Sequence, residues 1–381
     1  MSMIVKAFIG ADIHDGKILH KGQCLVVDHT RQVSLSKPED LPEGCPKVDL
    51  GGGLITPGFV DLQVNGGGGV MFNDDQSLNA LRIIAEAHAS TGTSAILPTL
   101  ITDTPKRTRA AIDAVEQAIA KKVDGITGIH LEGPHLSIAR KGALDPNLIR
   151  AMDNDDLALL LDAADRIANV MVTVAPESTS NAQIAEMKAA GITVSLGHTN
   201  ADYTTCHGAF DAGACGVTHL FNAMSQLGNR EPGLVGATLE REDIYAGLIA
   251  DGIHVHTSSI RLALAAKPKS ERIFLGTDAM ATAGSSIESF SLNGRDVSRK
   301  NRRLTLADGT LAGADLEMTR AVSVMVDAVG EEISTAIKRA TSTPTELLRD
   351  RQDLGRLGPR IDCIFHLSQF TMNPKRLSLV A

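Results

Sequence analysis

Two rhythms of apolar and polar positions divide the chain. Over residues 1 to about 54, short apolar runs alternate with turns: MIVKAFIGA, QCLVVDH, RQVSLS, then LPEGCPKVDLGGGLITPG. Short runs bounded by Gly, Pro and Asp predict strands, so this part predicts a small β unit. From Pro57 to about residue 350 the rhythm changes, and short apolar runs that end in polar residues alternate with longer stretches of helical spacing. Eight such runs follow in order: GFVDLQV, TSAILPT, ITGIHLE, NVMVTVAPE, ITVSLGH, CGVTHL, IYAGLIAD and RIFLGTD. Eight strand–helix units predict an α/β fold, a TIM-like (β/α)8 barrel.

Between the runs, SLNALRIIAEAHASTG places Leu78, Leu81, Ile84 and Ala85 on one helical face, and NAQIAEMKAAG ends on a C-cap glycine, Gly191. TRAVSVMVDAVG and ISTAIKRATSTPTELL supply further outer helices, and CIFHLSQF onward reads as strand. That last segment is expected to return to the N-terminal β unit. The expected organisation is a small β-sandwich begun by residues 1–54, a barrel over 55–354, and the sandwich completed by 355–381.

Composition narrows the function. The 381 residues are 43% hydrophobic with no run near the roughly 18 apolar residues of a membrane span, so no membrane partner is expected. The N-terminus lacks a basic stretch followed by a long apolar one, which predicts a cytoplasmic protein. A net charge of −8 without clustered Lys and Arg argues against nucleic acid, since phosphate neutralisation needs such clusters. Cys24, Cys45, Cys206, Cys215 and Cys363 are scattered and form no CxxC motif, so they read as reduced core thiols.

The polar residues at the run ends carry the chemistry. Glu132 ends the third run, Glu177 the fourth, His198 the fifth, His219 nearly the sixth, Asp251 the seventh and Asp278 the eighth, while His254 follows three residues after Asp251. In a βα barrel the C-terminal strand ends form one rim, where residues far apart in sequence converge. Singly, each histidine reads as well as a strand cap or a donor to a carbonyl. Together, Glu132, His198 and His219 match the His2Glu set that holds a catalytic Zn2+ with one position left for water; Fe2+, Co2+ and Ni2+ suit the same donors. One divalent metal is therefore expected, most readily Zn2+. Asp278 suits a general base that takes a proton from water and returns it to a leaving amine, or else caps the following turn. His254 is expected to orient the substrate; Asp251, in an Asp-Gly turn, and His135, after the Gly-Pro turn, stay open. His88, His207, His256 and His366 read as structural. In THLFNAMSQLGNREPG, the backbone of Asn222 and Ala223 is expected to face an anion, and Arg230 to pair with a phosphate.

These motifs resemble the amidohydrolase superfamily and, within it, the deacetylases of N-acetylated amino-sugar phosphates. PGFVDLQVNGGGG, HLEGPHLSIARKGA, SLGHTNADY, VTHLFNAMSQLGNREPGLVG, ADGIHV, LGTDAMATAG and GTLAG carry the resemblance, in order and over nearly the whole chain. It implies a TIM-like barrel with a β-sandwich built from both termini, and hydrolysis of the acetamido group of N-acetyl-D-glucosamine 6-phosphate in amino-sugar catabolism. It also implies metal binding by Glu132, His198 and His219, an acid/base role for Asp278, and substrate contacts at Ala143, Leu144, Asn222, Ala223, His254, Leu311, Ala312 and Gly313. A homodimer is implied too, with Arg230 gripping the phosphate in the partner's site.

Two positions separate this chain from its wider kin. Gln63 and Asn65 stand where many amidohydrolases have His-x-His and a second metal, a pattern that resembles the single-metal branch. Leu144 stands where the deacetylases usually have His after the Lys-Gly turn. From Leu144 come two alternative expectations: a catalytically weak sugar-phosphate binder, or a deacylase of a related N-acyl sugar phosphate. In LGRLGPRIDCIFHL, Asp362 is expected to hold the place of a family Asp in the β appendage.

Overall fold

The computed structural model describes residues 4–351, 353–358, 364–368 and 374–377. All eight apolar runs form strands of one parallel sheet: β1 (Phe59–Val64), β2 (Thr93–Ile101), β3 (Ile129–Glu132), β4 (Val170–Val174), β5 (Thr193–Leu196), β6 (Gly216–Val217), β7 (Tyr245–Leu248) and β8 (Ile273–Leu275). Neighbours in sequence are neighbours in the sheet, from β1 to β8. The ring closes where Val64 bridges Ala279 and the Asp278 N–H donates to the Gln63 carbonyl at 3.1 Å. Buried Asp61 staples the same seam, accepting from the Thr277 hydroxyl and, at 3.2 Å, from the Thr277 N–H.

The helices follow from local signals. α1 (Leu78–Ser90) starts where the Ser77 hydroxyl accepts from the Ala80 N–H, and it buries Leu81, Ile84 and Ala85, with Leu78 half-buried. α2 (Pro105–Ala120) has Pro in its first turn; α3 (Asn154–Arg166) and α4 (Asn181–Ala189) begin with reciprocal capping boxes. Gly191, with φ +84°, turns the chain after α4 into β5, a conformation that costs glycine no steric strain. α5 (Tyr203–Ala212), α6 (Gly233–Glu240) and α7 (Thr257–Ala266) cover the later strands. Met318–Val329 and Ile333–Ala340 supply the outer helices expected near the end of the barrel.

Inside the barrel, below the rim, polar side chains satisfy one another. His130 Nε2 lies 2.7 Å from the Thr173 hydroxyl, which lies 2.7 Å from that of Thr218, which lies 2.7 Å from that of Ser195. All four are buried.

Two sheets form the β appendage. One contains Ile4–Ile9, Cys24–Asp28, Val33–Ser36 and Lys47–Asp49; the other contains Asp12–His14, Leu19–His20, Leu54–Pro57, Ile364–Leu367 and Pro374–Arg376. Ile364–Leu367 pairs antiparallel with Leu54–Pro57, so the C-terminal segment does return to the N-terminal unit. Phe8, Leu25 and Val27 from one sheet pack with Ile13, Ile55 and Ile364 from the other, as a sandwich requires. Cys24 and Cys206 are buried, but Cys45 and Cys215 are only partly so, which corrects the reading of all cysteines as core. Cys363 and Asp362 lie outside the described residues.

One element was not anticipated. After β8 the strands Ser289–Leu292, Arg295–Lys300, Arg303–Thr305 and Leu311–Ala314 form a four-stranded antiparallel sheet over the rim. Its Leu292, Val297, Leu304 and Leu306 share an apolar cluster with Ile101, Leu144 and Met280, which fixes it to the barrel mouth. Its outer positions, such as Ser289, Asp296 and Arg299, are polar, so its hydrophobicity is too low to stand out among the eight barrel runs.

Candidate metal centre and active site

Glu132, His198 and His219 come together at the ends of β3, β5 and β6. Their ligand atoms all lie within 4.8 Å of one another and all three residues are buried. His219 Nε2 is 3.0 Å from Glu132 Oε1 and 3.1 Å from His198 Nε2, and His198 Nε2 is 3.3 Å from the same oxygen. His198 Nδ1 donates to the Arg140 carbonyl at 2.8 Å. That bond leaves the His198 Nε2 lone pair facing the other two donors, the orientation a metal ligand needs. The donor set thus fits one divalent cation.

The backbone works to deliver these side chains. His198, His219 and Asp278 have φ of +45°, +36° and +52°, the left-handed region that residues with a Cβ seldom adopt. Each conformation costs of order 1–3 kcal/mol and persists only where the surroundings enforce it. The Thr277 hydroxyl accepts from the Ala279 N–H at 3.2 Å and donates to Asp61, which holds the turn around Asp278.

Asp278 lies beside the triad. Its Oδ1 accepts from the Asn65 amide at 2.7 Å and the Gln63 amide at 3.1 Å, while Gln63 also donates to both Glu132 oxygens at 3.2 Å. Oδ2 has no protein partner among the described residues. Burial, and then the charge of Glu132, raise the Asp278 carboxyl to about 6. Burial would raise Glu132 as well, but the close contacts with the His198 and His219 imidazoles hold it well below the usual carboxylate range. Burial lowers His219, and its bond to Glu132 more than reverses this.

A cavity of about 280 Å³ opens on this group. Ala143, Leu144, Asn222, Ala223, His254, Leu311 and Gly313 line it, together with Asn65 and with Ile101, Ile249, Met280, Leu292 and Thr310, the last five without a mark in the sequence. The apolar members carry no sequence signal that sets them apart from core residues. Ala312 does not belong: strand alternation turns it into the apolar cluster, fully buried, while Leu311 and Gly313 face the cavity. Nor does the Asn222 N–H face an anion, because it donates to the His219 carbonyl at 2.8 Å. Arg230 lies on an exposed loop and lines no part of this chain's cavity. Glu177 binds the Thr199 hydroxyl and, at 2.7 Å, the Asn200 N–H, a loop-holding task. His135, buried, bonds the Arg150 carbonyl at 3.3 Å. His88 and His366 bond the carbonyls of Gly66 and Gly52, His256 caps α7 and His207 packs on Tyr203, all structural as expected.

A cation-ready donor triad at the C-terminal rim of a (β/α)8 barrel, with a carboxylate beside it, is an amidohydrolase arrangement, and the Amidohydrolase family profile matches residues 54–360. The chain belongs to that family. It is 43% identical over 310 residues to the N-acetylgalactosamine-6-phosphate deacetylase of Shewanella sp. (strain ANA-3), covering 81% of this chain and 78% of that one. It is 35% identical over 319 residues to the N-acetylglucosamine-6-phosphate deacetylase of Haemophilus influenzae, covering 83% and 82%. The crystal structure of N-acetylglucosamine-6-phosphate deacetylase from Pasteurella multocida superposes with a TM-score of 0.91 at 35% identity, over 98% of this chain and 97% of that one. Of the alternatives raised by Leu144, the catalytically weak sugar-phosphate binder finds no support among these relatives, which are named as deacetylases. Among the described residues, no helix is long and apolar enough to cross a membrane.

Proposed function

We propose that this chain hydrolyses the acetamido group of N-acetyl-D-glucosamine 6-phosphate to D-glucosamine 6-phosphate and acetate, using one divalent metal, Zn2+ in the first instance, held by Glu132, His198 and His219. The observation that carries the reading is the convergence of those three donors beside the Asp278 carboxylate at one cavity. Held by these three residues, a divalent metal would supply Lewis-acid polarisation of an amide carbonyl and would acidify water. Asp278 does the proton work: with Oδ1 engaged by Asn65 and Gln63, Oδ2 takes the proton of the attacking water and returns it to the leaving amine. The two amides keep the carboxylate from rotating away. His254 contacts the sugar phosphate, with Ala223, Leu311 and Gly313 shaping the wall. Leu144 gives that wall an apolar surface continuous with Ile101 and Met280. Arg230, exposed and without a partner among the described residues, is suited to reach the phosphate in a second subunit of a homodimer.

The relative at 43% identity favours a second reading in which the substrate is the C4 epimer, N-acetylgalactosamine 6-phosphate. Steady-state kcat/KM for both epimers, measured with metal content, tests both. A clear preference for the glucosamine compound with one metal per chain is expected. Preference for the epimer would install the second reading, and no turnover of either by metal-loaded protein would overturn both.

A further inference from the structure

At the opposite end of the barrel a second cavity, of about 380 Å³, has a different character. It is formed where β7 and β8 begin, by Tyr245 and Arg272, with the helix Ile333–Ala340, the turn after it, and Lys17 of the β appendage. Lys17, Lys269, Arg272, Lys338, Arg339 and Arg356 line it with Glu271 and Glu346, and Glu242 and Glu331 pair with Lys269 and Arg339 from behind, which leaves the cations in excess. For a chain of net charge −8, this is a local reversal of sign. Arg272 and Asp278 are at the two ends of one strand and its loop, about 20 Å apart at the usual rise per residue, so this cavity is not an extension of the metal site.

The positive charge is held in place rather than free to disperse. Arg339, 2% exposed, donates to Glu331 at 2.8–3.1 Å and to the Ile273 carbonyl at 2.7 Å, forming a fixed floor. Arg272 is pinned with its guanidinium 4.7 Å from the Tyr245 ring centroid and a bond to the Asp243 carbonyl. Glu346 is already shared between Arg351 and Arg356. The ammonium groups of Lys17 and Lys338 have no partner among the described residues, and Thr335 and Thr343 add hydroxyls to the wall. Nearby buried Lys267 is pushed down to about 8, by burial first and by the Arg272 charge second. Cations held this close repel one another, and an anion with several acceptor oxygens would relieve that repulsion. The volume matches a small ligand site.

We propose that this cavity is a second binding site for a small phosphorylated anion, separate from the substrate pocket. Its charges act in a concave wall, where they draw an anion more strongly than the same charges on a flat surface. The metal-loaded full chain is titrated calorimetrically with inorganic pyrophosphate and with glucosamine 6-phosphate at constant ionic strength, alongside Lys17→Glu/Lys338→Glu and His254→Ala. The expected result is saturable pyrophosphate binding that His254→Ala retains and the charge-reversed protein weakens at least about tenfold, the charge-reversed protein alone keeping its kcat and KM unchanged in the absence of added anion. Glucosamine 6-phosphate binding tighter than pyrophosphate and weakened by the same lysine substitutions would mark a sugar phosphate as the ligand within the same proposal. Lys338→Gln, a milder change at a partly exposed position, is expected to weaken binding in the same direction should the double variant fold poorly. Binding that is unaffected by these lysines, or that His254→Ala abolishes, or that disappears with modest added chloride, overturns the proposal.

Discussion

Two layers of the same barrel, one turn of chain apart, treat buried polar groups in opposite ways. In the interior, His130, Thr173, Thr218 and Ser195 are linked by contacts of 2.7 Å, and each hydroxyl is used up by a neighbour. At the rim, Glu132, His198 and His219 bring their ligand atoms to one point, with both histidines on backbone held in left-handed conformations. His130 stands two residues before Glu132 on the same strand. Burial, the largest influence on it, pushes it down to about 4 and keeps it neutral, whereas the bond to Glu132 raises His219. A buried histidine is thus structural or functional according to what faces it, and its identity or depth alone does not decide. Closed hydrogen-bond chains stabilise a fold; convergent donors without a closing partner, kept at a cost in backbone strain, mark chemistry.

The sharpest way to break the contrast is at the rim. His219→Ala is expected to lose both bound metal and turnover while remaining folded, read by metal analysis, activity and circular dichroism on one preparation. Full metal occupancy in that variant would remove His219 from the ligand set. Next in size, Asp278→Asn should lower kcat by about 10²–10⁴-fold with substrate affinity little changed, because the amide fills the same space but takes no proton. Retention of more than about a tenth of the activity would end its role as the base.

The interior layer should answer differently. Thr173→Val removes the hydroxyl that links His130 to Thr218 and leaves two buried groups short of a partner. A loss of about 1–3 kcal/mol of stability is expected, with metal stoichiometry unchanged. Loss of metal on this substitution would show that the two layers are one functional unit.

The smallest effect concerns a histidine far from both layers. His14, fully buried in the β appendage, accepts from the Gly16 N–H at 3.1 Å and meets the Ser334 hydroxyl at 3.0 Å. Burial lowers it from 6.5 to about 4. The unfolded chain therefore takes up this proton first. The contribution of neutral His14 to stability is complete above about pH 6.5 and is lost as the pH falls toward 4. Denaturant unfolding across that range should show a slope shallower by about one proton in His14→Gln than in the natural chain. Parallel curves would show that His14 titrates normally.

Much of this arrangement is written in local pattern. The eight apolar runs became the eight strands in order, because a strand buried on both faces needs an unbroken apolar run and the polar residue that ends it marks the rim. For that reason Glu132, His198, His219 and Asp278 are legible as one group in the sequence alone. The resemblance added Ala143, Leu144, Leu311 and Gly313, which carry no chemistry of their own to signal them. What sequence could not decide depends on direction and on partners from distant strands. Ala312 and Leu311 differ only in the face that strand alternation gives them, and the Asn222 N–H was spent on the His219 carbonyl by a turn no periodicity announces. Gln63 and Asn65 looked like missing metal ligands; only the closure of β8 onto β1 shows them holding Asp278 and Glu132. Hydrophobic period is a property of neighbours along the chain, and the sequence determines it alone. Which lone pair is satisfied is a property of neighbours in space, and the packed barrel settles that.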